Sequence, residues 1–550
     1  MFLKNKSEGR FKFMKKIFSL IIASGLIFTL AACGGSITAD PVDENAPTIS
    51  GVTDVNLTMG DTFDQMSGVT ASDDVDGDLT GSISVSGEYD LSSTGNYTLT
   101  YSVTDSNGNT TTETRSVVVV GLDGCSIYQE LVDGSCVDLE PEVITIMHGA
   151  IHEIDPFHEA YSGTEQLQKQ ELQRAIEAEL NVVINYEEYP PSAAWGPNRT
   201  SAIIQSSVSG EQLSDIYWIT SDWVQQLVDN EAIVDITQYL NGHGSNIDDS
   251  YLEVGSYKGG NYGFEVGNVQ ISHGLYYNAD LIDSLGVDNP SELYLAGNWN
   301  WTTFDLWATG VQTQLSAQGD DMFALGGMLS YYARNMIPLN GGSLINATTA
   351  RVSFAQGPAL ETYDFLTNLY NKGVFELNPQ YDAGSPEWMA GKVAMHPGSL
   401  WFVNASNRWG GLPFELGFVP YPSEDDFTGE YVSPVSGVAI MSVASGMTPE
   451  REELVFQVWN SIQLWKTNEE LTEAFELTLL TKFDEDIYVE AYLEIYDKVY
   501  LDLINAIGIG AYTENGWTRN INGAIKDGTS RTIVDQIKPI YEAALEDYVE

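Results

Sequence analysis

The feature that most constrains this chain is a change of period at Glu142. Between residues 48 and 120 short alternating stretches recur, among them Ile83-Ser84-Val85-Ser86, Tyr97-Thr98-Leu99-Thr100-Tyr101-Ser102-Val103 and Thr114-Arg115-Ser116-Val117-Val118-Val119-Val120. Turn clusters such as Asp105-Ser106-Asn107-Gly108-Asn109 separate them. Evenly spaced half-buried strands with such turns read as a small β-sandwich. After Glu142 the period lengthens. Val143–Met147 reads as a strand, and a helix follows over about Glu165–Leu180, with Leu172, Ile176 and Leu180 on one face. Val182–Tyr186 is a second strand. Further helices are expected near 198–209, 223–230, 359–371, 449–465, 487–504 and 533–549. Strands alternating with helices over some 400 residues imply an α/β fold of parallel sheets covered on both faces, arranged as two lobes.

Ahead of both regions lies an export signal. Lys15 and Lys16 form a basic segment, Ile17–Leu30 a short apolar core, and Leu30-Ala31-Ala32-Cys33 places small residues before a cysteine. The core is too short for a comfortable membrane-spanning helix. Residues 1–32 resemble a bacterial lipoprotein signal, with Met14 as a candidate start. That resemblance makes Cys33 the lipidated first residue of the mature chain, and lipid the sole attachment to the membrane. Residues 33–47 are Ser/Thr/Asp/Pro-rich and read as a flexible tether. Three cysteines are an odd number for an exported protein. With Cys33 lipidated, Cys125 and Cys136 remain to form a disulfide in the 121–141 connector, around a tight turn at Asp133-Gly134.

Charge narrows the partners. The chain carries 24 Lys+Arg against 78 Asp+Glu, a formal net charge of −54. Six of the basic residues precede Cys33, so the remainder is more acidic still. Such a surface repels phosphate backbones and anionic lipid, which argues against nucleic-acid binding and against a polybasic membrane patch. In the sandwich, the run Ser72-Asp73-Asp74-Val75-Asp76-Gly77-Asp78 has two readings. It is a solvated turn, or Asp74, Asp76 and Asp78 hold calcium; a complete EF-hand pattern is missing. No other metal and no cofactor is expected.

Two family resemblances follow. Residues 48–120, through Gly95–Tyr101 and Val103–Asn109, resemble the immunoglobulin-like modules of bacterial surface proteins. Residues 142–550 resemble the extracellular solute-binding proteins of ABC importers, in the sugar-binding group that includes maltose-binding protein. Five pieces carry this in order. They are Leu213–Trp218 with Leu227–Ile236; Tyr262–Gly267 with Gly274–Leu281; Trp299–Phe304; Leu339–Leu344 with Val352–Phe354 and Leu369–Gly373; and Glu387–Trp401. The resemblance implies a two-lobed periplasmic-binding-protein fold of type II, no catalysis, a carbohydrate as ligand and ABC permease subunits as partners. It implies a place on the outer face of the cell membrane, or in the periplasm where an outer membrane exists.

A neutral sugar offers apolar C–H faces flanked by hydroxyls, so its site needs aromatic plates and fixed polar groups. Trp218, Trp388 and Trp401 are the first candidate plates, with Trp223 and Trp409 next. Asp222, Glu265 and Asn340 are candidate hydroxyl partners. Each also has a plain structural reading: core packing for the tryptophans, a cap or turn for the polar residues, a hinge role for Glu265. His148 and His152, in the loop after the first strand, are candidate ligand contacts; Pro156 breaks any helical metal-binding spacing there. Gly267 and Gly437 supply the hinges between lobes. No nucleophile elbow, phosphate loop or dinucleotide fingerprint lies between a strand and a helix. A surface glycan adhesin, and less so a glycan hydrolase, are the competing readings.

Overall fold

The computed structural model describes residues 45–121, 128–132, 135–271, 273–319, 321–346, 348–379, 384–403, 405 and 408–549. The expected export signal, Cys33 and Cys125 lie outside the described residues. The chain divides into two units, Met1–Leu139 and Glu140–Glu550.

The first unit is a β-sandwich. One sheet pairs Thr48–Ser50, Thr70–Asp73 and Gly77–Asp78; the other orders Val55–Thr58, Thr110–Val120, Gly95–Thr104 and Ser84–Ser86. Alternation puts Leu99, Tyr101, Val103, Val117 and Val119 into its core. Arg115 is buried among them and donates to the Gln65 and Gly51 carbonyls at 3.0 and 2.9 Å. The calcium reading is corrected here, because the three carboxylates serve separate local contacts. Asp76 accepts from the Ser106 N–H and hydroxyl, Asp78 from the Thr80 N–H, and Asp74 from the Asn45 amide. Among the described residues no group of three or more His, Cys, Asp or Glu is placed to hold a metal. A hairpin of Gln129–Val132 and Ser135–Asp138 ends the unit, with Cys136 opposite Leu131.

The second unit has two lobes. In the first, the sheet order is Val182–Glu188, Glu142–His148, Ile216–Thr220, Ala439–Val443. Its first three strands are parallel and the fourth is antiparallel. Ile144 and Ile146 face one covering layer; Met147, Tyr217 and Ile219 face the other, so both faces are dry. The helix Gln166–Leu180 lays Ile176 and Leu180 on the first face and stops at Asn181, which adopts the left-handed conformation of a helix C-cap. Both lobes depart from the expected parallel sheets, the first through its antiparallel fourth strand and the second through its centre. The second lobe's sheet, Phe323–Leu325, Val393–Ser399, His273–Asn278, Leu416–Val419, is mixed rather than parallel, because His273–Asn278 runs antiparallel to both neighbours. The helix expected over 487–504 also ends early. It spans Asp486–Leu493, and Val499–Leu501 forms a strand beside Ser433–Val435. The Val-Tyr-Leu run favours a pleated pairing over a last helical turn.

The chain crosses between lobes three times: after Phe264, through Ser436–Val438, and over residues 462–467, where Thr467 and Glu470 form a capping box for the helix Asn468–Leu480. The final helix, Ser530–Val549, buries Tyr541 and Leu545 in the second lobe and lays Tyr548 against Tyr257 of the first, ring centroids 5.0 Å apart. Among the described residues no helix is long and apolar enough to cross a membrane.

Candidate functional site

The parallel strands of the first lobe end in an aromatic platform. His148 closes the strand Glu142–His148, and its ring lies 4.6 Å from that of Trp218 on the neighbouring strand. Gly149 permits this approach; a Cβ there would stand 3.0 Å from the Trp218 indole. Trp195 lies 5.5 Å from Trp218 and 5.0 Å from Trp223, and is 53% exposed. Beneath them sits Arg199, 1% exposed. Its guanidinium lies 3.8 Å from the Tyr189 ring centroid and 5.1, 5.2 and 6.0 Å from Trp195, Trp218 and Trp223. It donates to the Ala193, Ala194 and Trp218 carbonyls. Backbone oxygens and ring faces thus stand in for a carboxylate around this buried cation. Burial, aided by Arg199, lowers the His148 pKa to about 4. The ring is neutral, and its Nδ1 lies 3.0 Å from both the N–H and the carbonyl oxygen of Ala150, which fix its orientation.

Sequence reasoning missed Trp195, Arg199 and Tyr189. The available signal was Ala193-Ala194-Trp195-Gly196-Pro197, a tryptophan on a tight turn just before a helix.

Beside the platform opens a cavity of about 300 Å³, whose walls include His148, Lys169, Gln173, Glu265, Trp459 and Gln463. Glu265 caps its own loop, accepting from the Val266 N–H at 2.9 Å. Burial pushes its carboxyl up to about 7, against the lowering effects of that bond and of Lys169. His152 stands on the short helix Ile151–Ile154 with its ring 6.3 Å from that of His158, apart from the platform's ring contacts. Asp222 follows the strand Ile216–Thr220, and its Oδ1 would lie 3.0 Å from a Cβ on Gly437. Burial raises its pKa, against the lowering effects of the Thr220 hydroxyl and, more weakly, of Arg334. Gly267 and Gly437, with φ of 88° and 68°, both lie where the chain passes between lobes, in a conformation that other residues rarely adopt.

The second lobe presents Trp401, on the turn Leu400–Val403 directly after the strand Val393–Ser399. It is 52% exposed, edged by Phe402 at 4.5 Å and overlain by the Arg408 guanidinium at 5.4 Å. Two other predicted plates are corrected. Trp388 and Trp409 are buried, 5.3 Å from each other, with His396 and Phe414 around them. They fill the core because Gly398 and Gly384 leave space for their indoles. Asn340 is corrected too. Its amide donates to the Pro358 carbonyl at 3.0 Å and to Glu361 at 3.3 Å, stapling a turn to the helix Gly357–Tyr370.

A family model, described as bacterial extracellular solute-binding protein, matches residues 171–456, more than half of the chain. The chain belongs to that family. This solute-binding protein is therefore a receptor without catalytic activity. A second model, the Ig-like domain of bacterial surface proteins, matches residues 47–119. No curated protein sequence matches the chain. Solved structures share the fold. The UgpB protein of Mycobacterium tuberculosis, in complex with glycerophosphocholine, is 14% identical over 74% of this chain and 99% of its own, with a TM-score of 0.53. The cyclic alpha-maltosyl-1,6-maltose binding protein of Arthrobacter globiformis is 17% identical over 74% and 100%, TM-score 0.51. The ABC substrate-binding protein Lmo0181 of Listeria monocytogenes, in complex with cycloalternan, is 15% identical over 74% and 99%, TM-score 0.51.

Proposed function

We propose that this receptor captures a carbohydrate between its lobes and delivers it to the permease of an ABC importer, held at the cell surface by lipid on Cys33. The observation that carries the ligand class is the pair of half-exposed tryptophans, one on each lobe: Trp195 on the turn before the helix Pro197–Ser209, and Trp401 directly after a strand. Indole faces suit the C–H faces of a sugar ring, and Asp222 and Glu265 supply polar partners nearby. The same platform argues against a choline-like group. An aromatic box could hold a quaternary ammonium, but here Arg199 already fills it with a cation. Several structural neighbours bear sugar-ligand descriptions, which agrees with this reading.

A thermal-shift screen of neutral mono- and oligosaccharides against glycerophosphodiesters tests the ligand class. A sugar at 100 times its Kd should add about 2.7 kcal/mol of stability. Stabilisation by glycerophosphocholine alone, with no sugar active, overturns it. For the anchor, Cys33→Ser should release the protein from membranes or block its processing; unchanged retention contradicts lipid attachment. The Cys125–Cys136 bridge predicts no free thiol at either position in protein recovered from outside the cell.

A further inference from the structure

Arg334 stands at the second crossover, on the helix Leu329–Met336 of the second lobe. Among the described residues it has no carboxylate within ion-pair distance, although Arg451, Lys372, Lys392, Lys466 and Arg531 each have one. One terminal nitrogen, Nη2, donates to the Ser436 hydroxyl at 2.6 Å, while Nε is buried with no partner. Asn505 reaches the same hydroxyl with its Nδ2 at 3.2 Å, and its Oδ1 has no partner. On the other side of the crossover, Asp222 of the first lobe lies against Gly437, its Oδ1 also unpartnered. The dipeptide Ser436-Gly437 is thus flanked by a cation from one lobe and a carboxylate from the other. Each retains hydrogen-bonding capacity that the protein does not use.

We propose that Arg334 and Asp222 together read a pair of adjacent hydroxyls on the solute, Arg334 donating to one and Asp222 accepting from the other. This rests on the carbohydrate reading above and sharpens it to a neutral solute with a vicinal diol. An acidic sugar is disfavoured, because its carboxylate would meet Asp222 as well as Arg334. Removing one hydroxyl leaves a buried polar group on the protein without a partner, which discriminates more strongly than a lost apolar contact.

The test is a cycle of protein and ligand changes, read by calorimetry on the best neutral sugar from the screen and on its monodeoxy analogues. In the parent, loss of one hydroxyl of the recognised pair should weaken binding at least tenfold. Arg334→Met should weaken the full sugar at least tenfold and bind the matching deoxy analogue no worse than the full sugar. Arg334→Lys, which keeps the charge, should recover part of the loss and guards against a variant that fails to fold. Additive effects of ligand and protein changes, or unchanged Kd in both variants while Trp401→Ala still weakens the sugar, overturn the Arg334 role alone. If no sugar binds the parent, the carbohydrate reading fails and this inference falls with it.

Discussion

Trp401→Ala and Trp388→Ala separate a ligand plate from a core residue that looks the same in sequence. A tryptophan side chain carries about 150–250 Å². With Trp401 52% exposed, about 100 Å² is free to meet a solute. Covering half to all of it at about 25 cal/mol per Å² gives about 1–2.5 kcal/mol, or roughly 5- to 70-fold in Kd. The cost to folding is limited to the half already packed, about 2–2.5 kcal/mol, a shift of a few degrees. Trp388 is fully buried, and its truncation opens a cavity between Trp409 and Phe414 at about 3–5 kcal/mol. Calorimetry on the best sugar from the screen reads the first effect and thermal melts read the second; Trp388→Phe serves if the alanine variant does not fold. The reasoning is refuted if Trp401→Ala binds like the parent, or if Trp388→Ala melts like the parent while losing the sugar.

Three further outcomes are expected. Arg199→Met should cost about 2–4 kcal/mol in chemical denaturation, since the Ala193 and Ala194 carbonyls lose a donor, the Trp218 carbonyl one of its two, and four rings their cation; a loss under 1 kcal/mol would mean the cage is incidental. Glu265 binds its proton more tightly folded, at about 7, than unfolded, so its contribution to stability falls as pH rises from about 4.5 to 7 and is flat above. Glu265→Gln should remove that decline, becoming more stable relative to the parent by up to about 3 kcal/mol across the window, and parallel pH–stability curves would contradict the burial argument. A net charge of −54 repels itself at low ionic strength, so the melting temperature should climb as NaCl rises toward about 1 M, where the screening length is about 3 Å; a flat or falling curve removes the idea of adaptation to salt.

Much of the fold was legible because it is written in local signals. Asn300 before Trp301 caps its helix through the Thr303 N–H, and Thr448-Pro449 starts another in the same way. The mixed sheet of the second lobe was not legible. His273–Asn278 is buried on both faces, so it carries no period-2 alternation, and such a segment reads identically in a parallel or an antiparallel pairing. Direction is set by where the crossover delivers the chain, which is a tertiary fact. The strand Val499–Leu501 was hidden for a related reason: its partner, Ser433–Val435, lies more than sixty residues away.

The candidate site was legible only where a side chain's direction follows from its place on a strand. Trp218 belongs to a strand and Trp401 directly follows one. Trp388 and Trp409 sit in equally aromatic surroundings, yet Gly398 on the intervening strand offers a slot into which the Trp409 ring drops; a Cβ there would lie 2.0 Å from it. The platform was hardest to foresee, because a helical arginine near no acid reads as solvent-facing. Its burial is a matter of organisation. With Tyr189 donating to the Trp218 carbonyl at 2.9 Å and Arg199 donating to the same oxygen, the strand end is fixed from below before any solute arrives. A plate held in this way loses little freedom on binding, so more of its contact energy becomes affinity. Trp401 has Phe402 at its edge and Arg408 over its face, and it stands half in solvent. On the capture proposed above, Trp401 is the plate that meets the solute from the second lobe, so its ordering and its contact with the solute are coupled.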